Sequence, residues 1–73
     1  MEMGRPDEAE KQYLLELKNQ PDFTPALLNL ANLYAAKGRN REAAAQWKHV
    51  LAVNPSSQEA REKLARIQPL LQR

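Results

Sequence analysis

The chain has no cysteine and one histidine, His49. The first absence excludes a disulfide framework and thiolate metal sites; the second removes most transition-metal sites, which need clustered ligands. With two glycines in the whole sequence there is no Gly-rich loop to cradle a phosphate. No apolar run approaches the roughly 18 residues of a membrane span, and the N-terminus lacks a signal-peptide core, so neither a membrane nor export is expected and the cytoplasm is the expected compartment. Neither sign of charge dominates: 11 Lys and Arg stand against 9 Asp and Glu, a formal +2. That balance does not call for a nucleic-acid partner. At 73 residues the chain is one domain at most. Such a domain buries only about 60% of the surface its unfolded chain exposes, so its core is marginal.

What is present is self-similarity. Shifted by 34 positions, Gly4 falls on Gly38, Arg5 on Arg39, Glu8 on Glu42 and Ala9 on Ala43. Tyr13 falls on Trp47, Leu17 on Leu51 and Pro21 on Pro55. Matches across this many unlike residue types indicate a tandem repeat rather than coincidence.

Punctuation and periodicity divide the repeat into helices. A first helix spans roughly Pro6 to Asn19, with Asp7 and Glu8 at its positive end and Ala9, Tyr13 and Leu17 as its apolar stripe. Thr24-Pro25 predicts a second start, with Thr24 as N-cap and proline in the first turn. Leu27, Leu30, Ala31 and Tyr34 form its stripe, and Gly38 is the residue able to end it in the left-handed conformation. Asn40 is the expected N-cap of a third helix with Ala43, Trp47, Val50 and Leu51 on one side, ended by Asn54-Pro55. Ser56 and Glu59 have capping-box spacing for a fourth, with Ala60, Leu64, Ile67 and Leu71 inward and Glu59–Lys63 and Glu62–Arg66 as surface pairs. Pro69 is expected to kink or end that helix near Gln68. The fold class expected is all-α, a helix-turn-helix repeat of about four helices.

This ordered set resembles the tetratricopeptide repeat, a 34-residue helix-turn-helix unit. Over Thr24–Ser57 the signature places are filled by Leu27, Leu30, Ala31, Tyr34, Gly38, Ala43, Trp47, Val50 and Pro55. Residues 1–23 are similar to the back half of a unit, with Glu16 where alanine is usual, and 58–73 to the capping helix that closes such arrays. The chain thus begins within a unit, three residues before the turn at Gly4. The resemblance implies an α-solenoid fragment that binds a protein or peptide in a groove lined by the first helices of successive units. Carried across, the groove comprises Leu28, Asn29, Asn32 and Ala36, flanked by Pro25 and Ala35, with Lys63 and Arg66 beside Glu59 and Glu62 on the cap helix. The amides of Asn29 and Asn32 can pair with a peptide backbone as donor and acceptor. A carboxylate clamp is not expected, since only Asn29 and Lys63 fall at matching places and Glu59 stands where a cation belongs.

Catalysis, metals and cofactors are not expected. The sequence has no cysteine nucleophile and no histidine pair, and its acids and bases fall at the spacing of a solvated helix face. His49 lies away from the Trp47 stripe and is expected in solvent. Lys37, Arg39 and Arg41 around Gly38 are read as a solvated basic turn, with no aromatic interleaved to stack a base. The first helix is the other feature of interest. Tyr13, Leu14 and Leu17 form an apolar face with no upstream neighbour in this chain, while Leu14 and Leu15 match Lys48 and His49 one period on. Continuation into a longer array, self-association into a homo-oligomer and fraying all stay open for it.

Overall fold

The computed structural model describes residues 5–71; the turn expected at Gly4 lies outside them. Among these residues the chain forms four helices and no strand: α1 (Arg5–Asn19), α2 (Thr24–Ala36), α3 (Asn40–Val53) and α4 (Gln58–Leu71). Each helix packs against the next in sequence, α2 on α3 most extensively. The described residues make a slab about 32 × 29 × 15 Å.

The core sits among α2, α3 and α4. Leu27, Leu30 and Val50 are its largest fully enclosed side chains, and Ala31, Ala43 and Ala60 have no exposed surface. Small residues at these places let helix backbones approach, and the aromatic rings of Tyr34 and Trp47 fill the space around them. Every residue of the expected α2 stripe is buried. Ala26 and Ala44 join the core as well. Leu51, Leu64 and Leu71 pack on it from partly exposed positions.

The tandem register is written in the backbone. The amide of Gln20 donates to Glu16 (2.8 Å) and that of Phe23 to Gln20 (3.0 Å); one period on, Asn54 donates to Val50 (2.7 Å) and Ser57 to Asn54 (3.0 Å). Leu27 to Phe23 and Arg61 to Ser57 complete the correspondence, at 3.1 and 3.2 Å. The loops at Pro21 and Pro55 are therefore the same turn used twice. Tyr13 and Trp47 occupy equivalent places but unequal surroundings. Trp47 is enclosed by α2 and α4, whereas α1 packs chiefly on α2, and Tyr13 is half-buried.

At the α2–α3 corner Gly38 has φ 79°. The amide of Arg39 reaches the carbonyl of Tyr34 (2.8 Å) and that of Gly38 the carbonyl of Ala35 (3.1 Å), the paired bonds of a Schellman ending. A Cβ at Gly38 would meet nothing within 4 Å, so backbone conformation alone demands glycine there.

Helix ends depart from the sequence expectation in four places. Thr24 is the first residue of α2 rather than its cap: Phe23 holds the cap position, and the Thr24 hydroxyl donates at 3.5 Å to the carbonyl of Asp22. Arg39 rather than Asn40 precedes α3, because the Schellman bond already fixes Arg39 at the corner. Ser57 rather than Ser56 caps α4, its hydroxyl accepting from the Ala60 amide at 3.3 Å. The Ser56 amide is drawn into the loop by Oδ1 of Asn54 (3.2 Å), which moves the helix start one residue on. Finally, α4 does not end near Gln68 but continues through Pro69 to Leu71. A proline in the closing turn forfeits one backbone bond, and its fixed φ is itself helical.

Candidate functional site

α2 carries no charged residue. With Leu27, Leu30, Ala31 and Tyr34 turned inward, Asn29 and Ala36 are exposed and Leu28 and Asn32 half-buried, Leu28 also touching the core. From α4, the Lys63 ammonium donates to Oδ1 of Asn32 at 2.8 Å. Nδ2 of Asn32 donates to Oε2 of Glu59 at 3.5 Å, and Lys63 lies 3.5 Å from that carboxylate. These three side chains tie α2 to α4. The expected Glu62–Arg66 pair does not form; Glu62 accepts from Gln58 at 3.4 Å instead.

Beside this bridge lies an open concavity of about 310 Å³. Its apolar lining is Ala35, Trp47, Ile67 and Leu70; its polar lining is Asn32, Asn40, Lys63 and Arg66. Of the six expected groove residues, Asn32, Lys63 and Arg66 meet here, while Leu28, Asn29 and Ala36 lie elsewhere on α2. The sequence reading missed Asn40 and Leu70, and took Trp47 and Ile67 for core alone. Leu70 lies just off the α4 stripe and is 49% exposed, which the sequence pattern alone does not reveal. Nε1 of Trp47 is buried and has no acceptor among the described residues.

On α1, Tyr13 and Leu17 pack against the core, which leaves Leu14 (44% exposed) and Leu15 (55%) as the outward apolar residues. Glu10 and Glu16 stand one period before Ala44 and Val50, both buried. Two places apolar in α3 are thus acidic in α1.

The basic turn is exposed at Lys37 and Arg41, as expected, but Lys37 and Arg39 are ion-paired there. Lys37 Nζ lies 2.9 Å from both Asp7 Oδ1 and Glu10 Oε1. Arg39 reaches Glu10 through Nη1 (3.0 and 3.2 Å) and grips Glu42 through Nε (2.8 Å) and Nη2 (2.6 Å). Its guanidinium also stacks 4.4 Å from the centre of the Tyr34 ring. The hydrogen bond from Lys37 holds Asp7 and Glu10 below the usual carboxylate range, and that from Arg39 does the same for Glu42. Lys37 is correspondingly held above its ordinary value, by Asp7 first and Glu10 second. Burial, helped by the Glu10 charge, raises the Tyr34 phenol. Two cations facing three carboxylates leave nothing basic for a phosphate at Lys37 or Arg39. His49, half-exposed, meets Asp22 at 2.8 Å rather than water alone.

Two helical faces around a mixed polar and apolar concavity, with the repeat register carried by the backbone, define the architecture. The sequence model of the family described as Tetratricopeptide repeat matches residues 24–67, starting at the first residue of α2 and running through most of α4. This chain belongs to the tetratricopeptide repeat family. Repeats of this family generally serve as non-catalytic protein–protein interaction modules. No curated protein and no solved structure matches the chain significantly. Among the described residues no group of His, Cys, Asp and Glu is arranged to hold a metal, and no helix is long and apolar enough to cross a membrane.

Proposed function

We propose that this tetratricopeptide repeat chain binds a protein or peptide segment along the side where α2 and α4 meet, by shape and hydrogen bonding, without covalent chemistry or a cofactor. The observation that carries the reading is the Lys63–Asn32–Glu59 bridge beside the 310 Å³ concavity. It fixes polar groups of two helices around an apolar floor, the combination that orients a bound chain. The exposed amide of Asn29 and the small side chain of Ala36 extend this side along uncharged α2. Titrating a peptide array against the wild type and Asn32→Ala tests the proposal, and affinities unchanged across every ligand found would count against it.

A second reading has support of its own. Leu14 and Leu15 are large, apolar and outward on α1, beside half-buried Tyr13 and Leu17. A homodimer formed there would show in the molar mass in solution, and Leu14→Glu, at an outward position, should dissociate it without disturbing the fold. A concentration-independent monomer that unfolds cooperatively would exclude it. Glu10 and Glu16 weigh against extensive apolar pairing on α1, so groove binding is the preferred function.

A further inference from the structure

The concavity between α2 and α4 has a chemistry of its own, and its charged lining residues are all cationic: Lys63 and Arg66, three apart on α4 and so on one side of it. Unused hydrogen-bonding capacity there is mostly donor. The Asn32 carbonyl is already taken by Lys63, while Arg66 has no carboxylate partner among the described residues and its guanidinium can only donate. An acceptor-only group suits such a wall, and a carboxylate is that group. Ala35, Ile67 and Leu70 supply an apolar floor next to it. The volume, about 310 Å³, is at the lower end of ligand pockets, enough for one or two side chains and too open to enclose a small molecule.

From this we infer that the concavity is an anchor pocket for an acidic protein segment: it takes one aliphatic side chain on Ile67 and Leu70 while neighbouring Asp or Glu side chains lie on Lys63 and Arg66. The inference rests on the groove reading and adds the partner's chemistry to it. The acid is an internal side chain rather than a chain terminus. A terminal carboxylate is held by a ring of converging donors, and Glu59, 3.5 Å from Asn32 and Lys63, puts an acceptor into that ring, whereas a side-chain carboxylate needs only one cation such as Arg66.

Trp47 is the only tryptophan and lines the pocket, so its emission reports occupancy directly. The probe is a blocked peptide free of aromatics, acetyl-Gly-Glu-Asp-Leu-Asp-Glu-Gly-amide, added to the full chain. Its partners are a lysine version with every acid replaced, a version with serine for leucine, an unblocked version ending in leucine, and an oligothymidylate. The acidic peptide is expected to shift the emission saturably, and more weakly as salt is raised. Lys63→Gln and Arg66→Gln, each checked by far-UV circular dichroism for an intact fold, are expected to weaken it about threefold apiece, in line with exposed charge pairs. The serine version should lose most binding. Equal response to the acidic and lysine peptides, with amide NMR shifts at Asn29 and Asn32 in both cases, would overturn the acid preference and leave the groove reading standing. Tighter binding of the unblocked peptide, or of the oligothymidylate, would overturn the choice of an internal acidic segment. Peptides that move no amide on α2 or α4 would overturn the anchor pocket, and the Asn32→Ala array then judges the groove separately.

Discussion

Trp47 offers the sharpest test of the packing argument, because two effects of known sign meet in one side chain. The ring is 3% exposed between α2 and α4, yet its Nε1 donor is unpaired. Trp47→Ala removes the whole ring and should cost about 3–5 kcal/mol in lost transfer energy and residual cavity. A domain this small has only about 3–5 kcal/mol to lose, so that variant should be largely unfolded at 25 °C. Trp47→Phe keeps one ring in place and should lose about 1–2 kcal/mol of burial and packing. It also deletes the orphaned donor, returning about 1–3 kcal/mol of desolvation cost. The two nearly cancel, so Trp47→Phe should lie within about 1 kcal/mol of wild type. Urea melts followed by far-UV circular dichroism measure both, since the fluorophore is lost in each. A Phe variant as damaged as the Ala variant would refute the reasoning: the indole N–H would then be a satisfied group, and the packing around it different from that described. Tyr13→Ala is the internal comparison; equivalent in register but half-buried, it should cost roughly half as much as Trp47→Ala.

Other outcomes follow from the helix ends and the ion network. Gly38→Ala should cost about 1–2 kcal/mol in a urea melt, from backbone strain at φ 79° alone, and Gly38→Asn clearly less. Ser57→Ala should cost about 0.5–2 kcal/mol by loss of the cap to Ala60, and Ser56→Ala less than about 0.5 kcal/mol. Folding holds Asp7, Glu10 and Glu42 more acidic than the unfolded chain does, so their contribution is complete above the ordinary carboxylate range and lost as pH falls through the lowered folded values. Lys37, held more basic, contributes fully below its ordinary value and loses that contribution as pH rises through the raised one. Lys37→Met should flatten both limbs of the thermal-midpoint profile against pH, and an unchanged acid limb would show that Glu10 and Asp7 do not depend on it.

Much of the fold was legible because helical periodicity and the 34-residue shift report on the same thing, which side of each helix is buried. Leu27, Leu30, Ala31, Tyr34, Ala43, Trp47 and Val50 are all in the core where the stripes put them. Helix ends were less legible because capping is a local competition. Asn54 and Ser56 settle their own bond, and Ser57 is left to cap. The ties between helices were hidden for a different reason. Lys37 is 30 residues from Asp7 and 27 from Glu10, and Lys63 is 31 from Asn32. Spacing along the chain says which side of a helix a residue occupies, not which residue of the next helix it meets. For the candidate site, Asn32, Lys63 and Arg66 came from family positions; Trp47 and Leu70 required the third dimension.

One signal in the sequence did bear on the hidden ties. Glu10 stands one period before Ala44, so an acid occupies a place the repeat otherwise fills with a small apolar residue. Lys37, in the same shift, stands one period before Leu71. In the second step both places are apolar, with Ala44 buried and Leu71 packed on the core. In the first step the two places hold a carboxylate and an ammonium 2.9 Å apart, with the Glu10 side chain only 17% exposed. Two departures that look independent along the chain are therefore one exchange of an apolar pairing of places for an ionic one. Apolar packing tolerates salt and acid, whereas an ion pair near solvent weakens with both. It follows that α1 should loosen before α2–α4 do as salt rises or pH falls. Hydrogen exchange resolved by helix would show the order, with amides of α1 losing protection while Leu30 and Val50 retain theirs. Uniform loss across all four helices would mean that the ionic step is as firmly packed as the apolar one.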